Sequence, residues 1–145
     1  MTEDAIQKLL HRTRLLAATQ RGEKMTKDDV LQLLHSRELL VTSIPATIEG
    51  KVAFLGVYPM DPKSPDTIAL LRRSGVSASD EPLYRVSAVE VDPALVESQA
   101  YPSEEDLSHV HDVVAIGDED LRAKLNEFGV GLDQLDFPAN TDYPL

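Results

Sequence analysis

The chain has 145 residues, 42% of them hydrophobic and 27% charged, which suits one folded domain and neither a disordered nor a fibrous protein. It contains no cysteine, so disulfides, thiolate nucleophiles and cysteine-ligated metals are excluded together. The net charge of −11 belongs to the second half, because residues 1–75 hold eleven basic and nine acidic side chains whereas residues 76–145 hold Arg85, Arg122 and Lys124 against sixteen carboxylates, a field that repels nucleic acid and anionic lipid.

Thr2 is placed to cap a helix in which Ile6, Leu9, Leu10, Leu16 and Ala17 recur at three and four residues, with Gly22 as its stop. Thr26 and Asp29 form a variant capping box ahead of Val30, Leu31, Leu33 and Leu34, so a helical hairpin is expected to open the fold. From Leu39 the period changes. LLVTSI alternates between two faces up to Pro45, and KVAFLGVY, residues 51–58, is apolar on both faces as a central strand requires. About six residues separate the two runs, which favours an antiparallel hairpin with a longer loop.

Ser64-Pro65-Asp66 is a helix start and Gly75 a stop, giving a helix over 65–74. Residues 76–82 read as a loop, and Leu83–Val91 reads as a strand that places Tyr84, Val86 and Ala88 on one face. Ser103 and Asp106 suit a short helix through Leu107, followed by the strand HVHDVVAI up to Gly117. Asp118 is expected to cap a further helix with Leu121, Leu125 and Phe128 on one stripe, stopped by Gly129. Leu132, Leu135 and Phe137 either dock the remaining tail or leave 130–145 as an extended arm. The order predicts a single α+β domain over 1–145: an N-terminal helical hairpin, then a mixed, mainly antiparallel sheet of about four strands with helices packed on it.

Chemistry-bearing residues are sparse. His109 and His111 fall on one face of their strand beside Asp112, but catalytic zinc normally needs three protein ligands, and His11 and His35 belong to the helical hairpin. Glu104, Glu105 and Asp106, and then Asp118, Glu119 and Asp120, sit in first helical turns, where the macrodipole alone favours carboxylates. Neither group has the spacing of a calcium loop. No GxSxG elbow occurs, and Gly129 and Gly131 follow a helix instead of opening one, so a phosphate there would meet carbonyls. The Arg72-Arg73 pair near a helix C-terminus is explained by the dipole.

The stretch DVLQLLHSRELLVTSIP followed by KVAFLGVY resembles the helix and first strands of SseB-type domains of bacteria in its hydrophobic pattern, over less than a quarter of the chain. No functional residue carries over from it.

The expected function is therefore a non-catalytic binding protein that neutralises a basic partner, most concretely a bacterial immunity protein against a toxin domain, working in the cytoplasm without a cofactor. Its anionic contacts would be Glu104, Glu105, Asp106, Asp118, Glu119, Asp120, Asp133 and Asp136, with Tyr101, Phe137 and Tyr143 as aromatic anchors. One alternative is an adaptor or accessory subunit docking through the helical hairpin. Another is a small ligand- or metal-binding enzyme built on His109 and His111. No secretory signal or membrane span is legible, because charge interrupts every apolar run.

Overall fold

Local chemistry sets both ends of the first two helices. In the computed structural model, which describes residues 2–73, 75, 81–94 and 108–141 (108–111 by backbone alone), α1 spans Glu3–Gln20 and α2 spans Lys27–His35. The Thr2 hydroxyl accepts the Ala5 N–H at 3.2 Å, and Thr26 and Asp29 complete the expected capping box. Each helix ends in a Schellman turn. The Glu23 N–H returns to the Ala18 carbonyl across Gly22, and the Glu38 N–H returns to the Leu33 carbonyl across Arg37. That turn requires a left-handed residue. Gly22 meets the requirement at φ +89°, while Arg37 does so at φ +67° with a side chain attached.

Four strands follow in an antiparallel sheet of order β1-β2-β3-β4: β1 Leu40–Ile44, β2 Val52–Met60, β3 Leu83–Val91 and β4 Ser108–Ile116. The sequence expected this α+β class with a helical start; antiparallel pairing holds at every strand pair. Helix α3, Pro65–Arg73, joins β2 to β3, and α4, Gly117–Glu127, leaves β4 directly. The helix expected through Leu107 lies outside the described residues.

Alternation along β2 and β3 divides the apolar side chains between two faces. Leu55, Val57, Tyr84 and Val86 join Val30, Leu33 and Leu34 of α2 and Leu121 and Leu125 of α4 in the main core. Phe54, Val89 and Val91 form a smaller cluster on the other face. Tyr84 and Val86 therefore share the face that the alternation assigned them, with Ala88 buried beside them in register.

The tail is folded onto the body as far as Thr141 instead of extending from it. Two 3₁₀ turns, Leu132–Gln134 and Pro138–Asn140, bring Leu132, Leu135 and Phe137 into the main core at 2–3% exposure. Between them Val41 and Asp136 exchange two backbone hydrogen bonds of 2.9 and 2.8 Å, so the tail covers part of the β1 edge. Among the described residues no helix is long and apolar enough to cross a membrane.

Candidate functional site

The described carboxylates of the acidic half are mostly engaged within the molecule. Asp112 pairs with Arg85 at 3.2 Å, and Asp120 accepts the Ile116 N–H at 2.9 Å with Lys124 at 3.9 Å. Asp136 accepts the Phe137 N–H and the Asn140 amide. Glu90 is buried on β3, where its carboxylate accepts the Thr47 N–H and hydroxyl and the Ile48 N–H, tying down the loop after β1. Glu119 and Glu127 are exposed on α4, but Arg122 is exposed with them. Asp133 is half-buried beside a 310 Å³ hollow shared with Thr42 and Asp136.

The aromatic anchors fare differently. Phe137 does not offer its ring to a partner: it is 2% exposed, and the Arg12 guanidinium lies 5.4 Å from its centroid. Tyr101, Tyr143, Glu104, Glu105 and Asp106 lie outside the described residues, as do the side chains of His109 and His111. Among the described residues no group of three or more His, Asp or Glu side chains is arranged to hold a metal ion.

Asp118 does not cap α4. Ile116 holds the cap position, and Asp120 supplies the carboxylate for its N–H. Asp118 turns instead toward Tyr84, whose hydroxyl donates to Oδ1 at 2.7 Å, and toward His35, whose Nε2 lies 3.1 Å from both carboxylate oxygens. Burial opposes ionisation of Asp118, but the Tyr84 and His35 hydrogen bonds and the charges of His35 and Arg122 outweigh it, so its carboxyl is held below the usual aspartate range. Burial, then the bond to Asp118 and its negative charge, push the Tyr84 phenol well above its ordinary value.

A histidine, a carboxylate and a phenol in sequence invite a catalytic reading. The adjoining hollow of about 270 Å³ is lined by His35, Arg37, Met60, Glu81 and Tyr84 among others, and among the described residues its lining holds no serine, threonine or lysine. The contacts of the cluster are those of a polar pin. It fastens the end of α2 to the start of α4 across β3, and nothing adjacent in sequence announces it.

The least satisfied surface belongs to α1. Thr19 is its only buried residue, held at its hydroxyl by the Asn140 amide at 2.8 Å, and Leu15 and Leu16 pack partly against the core. Toward the N-terminus the helix leaves the body. Ile6, Leu9 and Leu10 are 43%, 53% and 45% exposed, although they are the strongest apolar positions in its pattern. Between this half of α1 and α2 runs a groove of about 660 Å³ whose lining includes the apolar Ala5, Leu9 and Leu33 and the charged Lys8, Arg12 and Glu38. Arg12 and Glu38 pair with each other within that lining. Sequence periodicity identified the apolar residues of α1 but not the side of the helix on which the body lies. No protein-family model, no curated protein and no solved structure matches this chain.

Proposed function

We propose that this protein is a non-catalytic binding module that docks a protein partner through its N-terminal helical hairpin, as an adaptor or accessory subunit would. The observation that carries the reading is the exposed stripe Ile6, Leu9 and Leu10 beside the α1–α2 groove. Contiguous apolar surface rimmed by polar groups is a common mark of an interaction site. An isolated helical segment shorter than about 12–15 residues is marginal in water, so contact along the first half of α1 would stabilise what the body leaves unsupported. A photo-crosslinking residue replacing Leu9 in the full chain tests it. A discrete adduct at position 9, absent when the same group replaces Glu127, is the expected result; equal labelling from both positions would overturn the reading.

A basic partner neutralised by the acidic half, with a toxin domain as the most concrete case, is the second reading. The charge asymmetry favours it, sixteen carboxylates against three cations beyond residue 75. The ion pairs of Asp112 and Asp120, and the engagement of Asp118 by Tyr84 and His35, weigh against a continuous anionic face. Binding that weakens steeply with salt, and further on Glu119→Lys with Glu127→Lys, would separate this reading from docking on α1, which responds to Leu9 instead.

A further inference from the structure

We infer that the outward stripe of α1 docks onto the same stripe of a second copy of this chain, the two helices running antiparallel about a two-fold axis. The inference rests on α1 being a docking face and names its occupant. Ile6, Leu10, Thr13 and Ala17 recur at three and four residues and are all exposed, forming a seam on the side of α1 away from the half-buried Leu15 and buried Thr19, and exposed Leu9 borders that seam on the side of the α1–α2 groove. Seams of this spacing pair with helices, and the order of charge beside this one selects which helix.

One flank of the seam carries Glu3, Gln7 and Arg14, acidic where the helix begins and basic three turns later. Turned end for end, that flank is its own complement. Setting Ile6 against Leu10 of the second copy, with Leu9 next to the axis, brings Glu3 and Arg14 within one residue of level, once on each side. A parallel pair would instead set Glu3 beside Glu3 and Arg14 beside Arg14. The ion pairs that α1 already makes use Asp4 with Lys8 and Arg12 with Glu38, and His11 lies 3.4 Å from Asp29, leaving Glu3 and Arg14 without an ion pair among the described residues. Antiparallel helices also set opposite dipole ends side by side. A single helix face is smaller than the roughly 1,200–2,000 Å² of a standard stable interface, so the dimer is a concentration-dependent one.

Sedimentation equilibrium of the full chain, from low to high micromolar in low salt, tests the inference. The mean mass is expected to rise from 16.0 kDa toward twice that value. Leu9→Glu holds it at the monomer with an unchanged circular dichroism spectrum, since that side chain lies outside the core. Glu3→Arg and Arg14→Glu each weaken the dimer by about tenfold, and the two together restore most of the loss, because exchanging the charges recreates the pair. A wild-type chain that stays monomeric throughout, a dimer indifferent to Leu9→Glu, or a double variant no better than the singles would each overturn the proposal. A monomer that still gives a position-specific cross-link to another protein at residue 9 removes self-association alone. A monomer with no such cross-link removes the docking reading as well.

Discussion

The two ends of the chain invert the usual relation between regular structure and burial. The first half of α1 is regular helix with strong apolar periodicity, and its large side chains face outward. The tail from Val130 to Thr141 has only two single-turn 3₁₀ segments, and Leu132, Leu135 and Phe137 are among the most buried side chains in the molecule. Burial follows from where the chain closes on the sheet. The tail crosses the β1 edge at Val41, where the backbone exchange with Asp136 fixes the register that delivers Leu135 and Phe137 to the core. Helix α1 is held through its second half, by His11 beside Asp29, Arg12 with Glu38, Leu15 and Leu16 against the core and Thr19 with Asn140, so its first turns project past these attachments.

The largest test of this contrast is to truncate one residue from the tail. Phe137→Ala removes a ring packed in the main core beneath Arg12, and is expected to destabilise the fold by about 3–5 kcal/mol, as large-to-small core substitutions do. Urea unfolding measures it. A loss comparable with that of an ordinary surface substitution would mean that the tail is an appendage.

The pin between α2 and α4 sharpens the comparison by showing what does hold a helix to the body. Asp118 ionises more readily folded than unfolded, so its contribution is complete above the ordinary aspartate value of about 4 and is lost as pH falls through its lower folded value. Tyr84 holds its proton more tightly when folded, so its contribution is complete below the ordinary phenol value of about 10 and is lost as pH rises beyond it. Urea midpoints followed against pH should show a shallower acid limb in Asp118→Asn and a shallower alkaline limb in Tyr84→Phe. Limbs parallel to those of the unaltered chain would show that neither group titrates as its surroundings dictate.

A smaller effect, of opposite sign, is expected where α2 turns into β1. Arg37 occupies the left-handed position that glycine fills at the corresponding turns after α1 and α4. Its pairing with Asp61 at 4.0 Å is exposed and contributes little. Arg37→Gly relieves the side-chain strain at some cost in unfolded-state entropy, for a net gain of about 0.5–1 kcal/mol. A higher melting temperature is the readout.

Much of the frame was legible because its signals are local. The Thr26–Asp29 box, the glycines at 22 and 129 and the alternation of 83–91 each specify backbone geometry within a few residues, and each element appears close to its expected position. What was not legible depends on partners distant in sequence. Asp118 looked like a helix cap because its neighbours favour one, yet Tyr84 and His35, 34 and 83 residues away, claim its carboxylate. Phe137 suited both a docked tail and an aromatic anchor of an extended arm, and it is the β1 edge, distant in sequence, that decides for burial. The stripe on α1 was visible as amphipathicity, a pattern equally suited to a core face or a docking face.

The smallest expected effect is therefore the most discriminating one. Leu9→Ala in dilute, monomeric protein should change stability by no more than about 0.5 kcal/mol, because the side chain lies outside both core clusters. Native-state hydrogen exchange adds the backbone to this test. Amides of the first turns of α1 should exchange through local fraying, far faster than those of Leu55 or Val86 in the paired central strands, whose opening requires global unfolding. Raising the protein concentration should slow exchange over residues 5–14 alone if that face acquires an occupant, and leave the central strands unchanged. A large stability loss from Leu9→Ala in the monomer would place that side chain in the core and leave the seam without an exposed face to dock.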